Sequence, residues 1–73
     1  MMNNELRLCS CIYDFSVIEF GIRSYSQIAK IEVKKTDNYY VCKFTDCKYD
    51  LLQTMREFEN FIIQASNSKE LGL

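Results

Sequence analysis

The sequence predicts an α+β fold, a two-layer β-α-β-β-α sandwich, from three observations. Apolar residues alternate with period two in three short runs, which is the mark of half-buried strands. In two longer runs they recur at helical spacing. The polar segment Lys35-Thr36-Asp37-Asn38 joins two of the alternating runs and is the one strong turn signal, since Asp and Asn tolerate turn conformations. A chain of 73 residues makes one small domain, taken here as 1–73, with no repeat and no linker. Its residues are 48% apolar and 14% aromatic, which favours a packed core over disorder.

The first strand is expected at 5–13. Leu6, Leu8, Ser10 and Ile12 lie on one side of it, and Arg7, Cys9, Cys11 and Tyr13 on the other. The aliphatic set is the better core face. A helix over 17–27 follows. Ser16 and Glu19 have capping-box spacing, Phe15 and Phe20 stand at the flanking staple positions, and Val17, Ile18, Gly21, Ile22, Tyr25 and Ile28 form the apolar stripe. Period two returns in strands at 29–35 and 39–45, which make an antiparallel hairpin. Asp50 is the expected N-cap of a second helix over 51–66, with Gln53 in capping-box position. Its stripe is Leu51, Leu52, Met55, Phe58, Ile62 and Ala65. The polar tail 67–73 is expected to fray.

Strands that flank a helix run in the same direction, and a hairpin runs antiparallel. The first strand therefore sits either beside the second or beside the third. We expect the latter: a three-stranded mixed sheet of order 1-3-2, ferredoxin-like but lacking the last strand, with both helices on one face. Leu6, Leu8, Ile12, Ile31, Val33, Tyr40, Cys42 and Phe44 would then be covered. The uncovered face would carry Arg7, Cys9, Cys11, Tyr13, Tyr39 and Val41, fringed by Lys30, Lys34 and Lys43. Such a face is more apolar than a solvated one, and the first strand's edge is a template for another strand. These six residues are the candidate partner-binding set, for a protein or peptide partner or a second copy of the chain.

Several classes of chemistry are disfavoured. No His is present, so the commonest general base and metal ligand is missing, and no Gly-rich phosphate loop occurs. Catalytic residues, cofactors and metals are therefore not expected. Cys9-x-Cys11 would place two thiols about 7 Å apart on one strand face. With Cys42 on the opposite face and no C-x-x-C pair, a tetrahedral zinc site is geometrically awkward. The cysteines read as small, partly buried side chains, with a redox thiol pair as the alternative. Lysines beside Tyr39 resemble a base-stacking platform, yet a net charge of −1 disfavours nucleic acid. No run approaches the ~18 apolar residues of a membrane span, and the polar start is unlike a secretory signal. A cytoplasmic setting with reduced thiols is expected.

Four segments carry a resemblance: Tyr13-Asp14-Phe15-Ser16-Val17-Ile18, Tyr25-Ser26-Gln27-Ile28-Ala29-Lys30-Ile31-Glu32-Val33, Tyr40-Val41-Cys42-Lys43-Phe44, and Glu57-Phe58-Glu59-Asn60-Phe61-Ile62-Ile63-Gln64-Ala65. Over residues 13 to about 65 the chain resembles the D-type protein of His-Xaa-Ser systems, small proteins encoded beside radical-SAM enzymes that modify a ribosomally made peptide. Where that family ends its last helix in Leu-Arg-Glu, this chain has Gln64-Ala65-Ser66. The resemblance implies a non-catalytic accessory protein that binds a peptide precursor or its modifying enzyme. A structural homodimer and a small RNA-binding protein are the alternative readings of the same surface.

Overall fold

The computed structural model describes residues 3–70, with side chains described for 3–67. The elements follow in the expected order: β1 (Glu5–Cys9), α1 (Phe15–Ser24), β2 (Lys30–Lys35), β3 (Tyr39–Thr45) and α2 (Leu51–Glu70). The three strands form one sheet in the order β1-β3-β2. Both pairings are antiparallel, with Leu6 opposite Cys42 and Val33 opposite Cys42 on its other side. β1 and β2 thus run in the same direction, as strands flanking a helix should. Because β3 separates them, the sheet is antiparallel throughout rather than mixed.

Burial follows the alternation. Leu8, Ile31, Cys42 and Phe44 are buried on one face of the sheet, with Leu6, Val33 and Tyr40 partly buried beside them. They join Val17 and Ile18 of α1 and Met55, Phe58 and Ile62 of α2 in one core cluster. The Phe58 ring stands edge-on to Phe44 at 5.3 Å and to Tyr25 at 5.4 Å, the favoured arrangement for aromatic pairs. Ala29 and Thr54 complete the interior.

Several boundaries differ from expectation, those of β1 and α1 most. β1 stops at Cys9 instead of 13, because the Cys9 carbonyl accepts the N–H groups of Ile12 (3.1 Å) and Tyr13 (3.2 Å) and closes a tight turn. That turn swings Ile12 out of the core to 69% exposure. α1 starts at Phe15, with Asp14 rather than Ser16 as its N-cap: the Asp14 carbonyl accepts from Val17 (3.2 Å) and Ile18 (3.3 Å), and no side chain makes a capping bond. It ends at Ser24, where Tyr25 and the following turn take over. Phe15 and Phe20 lie within the helix on its outer flanks, Phe15 tilted against Tyr40 (5.6 Å) and Phe20 stacked on Phe61 (5.7 Å).

α2 begins as expected. The Asp50 carboxylate accepts the Gln53 N–H at 3.0 Å, satisfying one of the helix's free first-turn donors. The Gln53 side chain reaches forward to Glu57 (3.2 Å) instead of back to close a capping box. Leu52, expected in the apolar stripe, is exposed. The helix continues to Glu70, so residues 67–70 are helical rather than frayed; 71–73 lie outside the described residues. β3 is left through Asp46 at φ 52°, a left-handed conformation that Asp tolerates better than most residues. The Lys48 N–H then donates to the Ile28 carbonyl at 2.8 Å and ties the two loops at that end together.

Candidate functional site

The sheet face away from the helices is bare, and strand register sets what it presents. Glu5, Lys43 and Glu32 stand side by side across β1, β3 and β2. The next row is Arg7, Val41 and Lys34, and the next pairs Cys9 with Tyr39. Of the six candidate residues, Arg7, Val41, Cys9 and Tyr39 are therefore brought together. Cys11 lies beside them in the turn after β1, and Tyr13 is carried away to pack against the core. The reason is again the strand end at Cys9: beyond it, period two no longer governs direction.

Register also changes the character of the face. Lys43 has a glutamate opposite it on both sides, so the basic fringe is interleaved with acid. Opposite charges directly across strands are favourable, and the surface is mixed in charge rather than broadly apolar, with Arg7, Lys30, Lys34 and Lys43 set against Glu5 and Glu32. The lysine fringe expected from the sequence omitted Glu5 and Glu32. Their phase was readable, but their neighbours depend on register.

The edges are a second kind of surface, made of backbone. Hydrogen bonding alternates along an antiparallel pair. Phe44 N–H donates to the Asn4 carbonyl and Ser10 N–H to the Asn38 carbonyl, both at 2.9 Å, so the even-numbered residues of β1 face β3. Glu5, Arg7 and Cys9 turn their N–H and C=O groups outward. The Asn3 side chain takes the Glu5 N–H at 3.0 Å, and the Cys9 carbonyl is occupied by its turn. What β1 offers is therefore the Glu5 carbonyl, both groups of Arg7 and the Cys9 N–H. On β2 the Thr36 N–H donates to the Tyr39 carbonyl at 2.8 Å, so even-numbered residues face β3 there too. Ile31, Val33 and Lys35 turn outward.

Cys9 and Cys11 form the one chemically distinctive pair. The Cys11 thiol and the backbone N–H groups of Cys11 and Ile12 hydrogen-bond the Cys9 sulfur and hold its pKa below the ordinary thiol value. The same contact, which leaves Cys11 to share its neighbour's charge, raises that of Cys11. Cys42 is wholly buried, and burial pushes its thiol up to about 11. Cys47 is half-buried in the loop after β3, its pKa raised by burial and by Asp46. Among the described residues, no three Cys, Asp or Glu side chains gather closely enough to hold a metal ion.

One concavity adjoins the β1–α1 turn, lined by Ile12, Tyr13, Asp14 and Val17 on one side and Ile63, Ser66 and Asn67 of α2 on the other. It is open and mixed in polarity, unlike the enclosed apolar clefts that hold small molecules. No described helix is long and apolar enough to cross a membrane. Comparison of the chain with protein-family models, curated proteins and solved structures finds no match.

Proposed function

We propose that this chain is a non-catalytic accessory protein of the cytoplasm, which binds a peptide precursor or a peptide-modifying enzyme by accepting an extended segment of it beside β1. The observation that supports this reading is the outward row of β1: the Glu5 carbonyl, the Arg7 N–H and carbonyl, and the Cys9 N–H are directed away from the sheet. Strand addition draws affinity from such main-chain groups and specificity from alternate side chains. A segment added there would complete the four-stranded sheet that a ferredoxin-like unit normally has. It would lay one set of side chains over Leu6, which is only partly buried with no strand beyond it, and the other set beside Glu5 and Arg7. The resemblance to the D-type protein of His-Xaa-Ser systems supplies the class of partner.

The test is Arg7→Pro. Proline removes the outward N–H of Arg7 but none of the bonds between β1 and β3, which edge strands tolerate. The variant should keep the wild-type circular dichroism and lose affinity for the peptide or radical-SAM enzyme encoded beside this chain. A folded Arg7→Pro protein that binds that partner as tightly as wild type would remove the β1 edge from consideration.

A further inference from the structure

The other edge of the sheet has a different occupant. We propose that β2 pairs with β2 of a second copy of this chain, antiparallel about a two-fold axis at Val33, to give a six-stranded sheet of order 1-3-2-2-3-1. This goes beyond the β1 reading and uses none of its residues.

Three observations carry it. First, the β2 edge is open where the β1 edge is blunted. The turn at Cys9 and the Asn3 side chain occupy groups at the two ends of β1, whereas among the described residues no hydrogen bond takes the outward groups of Ile31, Val33 and Lys35. Unpaired outward N–H and C=O groups along a strand are a template for another strand. Second, two identical strands pairing through the same edge about a closed two-fold must run antiparallel.

Third, the charges of β2 together with full overlap of the two strands select one register. With the axis at Val33, each Glu32 stands opposite the partner's Lys34, and each Ile31 opposite the partner's Lys35. One step earlier, Glu32 would face Glu32 and Lys30 would face Lys34. One step later, Lys34 would face Lys34. Like charges directly opposite destabilise a strand pair, and opposite charges stabilise it. The Val33 register also fits the backbone. Val33–Val33 and the two Ile31–Lys35 pairs are the hydrogen-bonded ones, about six bonds in all, which leaves Glu32 and Lys34 in the closer, non-hydrogen-bonded pairs where side chains interact most strongly. Val33, partly buried in the single chain, would be covered by its symmetry mate. The β1 edges remain outermost, at the two ends of the sheet.

Sedimentation of the full chain across a concentration series tests this with charge reversal. Wild type should show a monomer–dimer equilibrium. Glu32→Lys puts two Lys–Lys pairs at the axis and should weaken the dimer by about ten-fold or more. Lys34→Glu should do the same with Glu–Glu pairs, and the double variant Glu32→Lys/Lys34→Glu should restore association. Val33→Pro, which removes an outward N–H without touching the β3 ladder, should abolish it. Arg7→Pro should stay dimeric, which separates this edge from the other. A wild-type chain that remains monomeric to millimolar concentration overturns the proposal, as does a double variant no better than either single one. If a charge variant fails to fold, Val33→Pro decides alone: a folded, dimeric Val33→Pro protein also overturns it.

Discussion

Gly21 of α1 lies directly against Ile62 of α2: a Cβ placed on Gly21 would come within 2.7 Å of the Ile62 Cδ1 atom and 3.1 Å of the Phe58 ring. The two helices approach closely because position 21 has no side chain. Glycine here serves packing, at the expense of helix propensity.

Gly21→Ala therefore sets two effects against each other. Alanine favours the helix by about 1 kcal/mol. Forcing a methyl into a filled core costs typically ~1–3 kcal/mol, and Ile62 and Phe58, which must shift to admit it, are wholly buried. The overpacking should win, for a net loss of about 1 kcal/mol in urea unfolding. Ile62→Val deletes the clashing methyl, so the double variant should be more stable than the sum of the two single losses predicts. Strict additivity would mean that the helices simply move apart.

Asp50→Ala should cost about 1 kcal/mol, the usual value of a side-chain cap. Asp50 is exposed and its side chain accepts the Gln53 N–H, so Asp50→Asn should recover most of the loss. Equal destabilisation by both substitutions would show that charge at the helix N-terminus matters rather than the hydrogen bond.

Cys9 should be the most readily alkylated thiol. Its pKa is lowered, so a larger thiolate fraction is present at neutral pH, and the thiolate is the nucleophile. Peptide mapping after brief iodoacetamide treatment should find Cys9 modified first and Cys42 last. Cys11→Ala removes the thiol that donates to Cys9, so the pH midpoint of Cys9 alkylation should move upward. An unmoved midpoint would assign the lowering to the backbone N–H groups alone.

Cys42 should make the fold sensitive to alkali. Its folded pKa of about 11 lies above the ordinary thiol value near 9, so the native state holds a proton that the unfolded chain releases in that interval. The neutral thiol's contribution is fully present below about pH 9 and is lost as pH rises toward 11. Urea midpoints measured across this window should fall more steeply for wild type than for Cys42→Ala. Parallel curves would place the alkaline loss on other groups, such as Tyr25, whose pKa burial also raises.

Much of the fold was readable because alternation and helical spacing are local records of burial. Leu6, Leu8, Ile31, Val33, Cys42 and Phe44 face inward as their phase requires, and Val17, Ile18, Phe58 and Ile62 meet them. Ile12 shows the limit. Its phase matched the inward set, but the turn that closes on the Cys9 carbonyl ends the strand first. The same turn explains why Tyr13 left the candidate surface while Cys11 stayed close to it. Ser16 shows a similar competition. Its spacing to Glu19 suits a capping box, yet the chain enters α1 at Asp14 because the turn delivers it there two residues earlier than the apolar stripe suggests.

By itself the sequence determined the number, kind and order of the elements, and the inward face of each strand, because these depend on neighbours only a few residues away. Only the tertiary structure decided that Lys43 sits between Glu5 and Glu32 and which backbone groups turn outward at each edge. Register joins segments far apart in the chain, and a shift of one residue would reverse every face and every edge while leaving the pattern of the sequence unchanged.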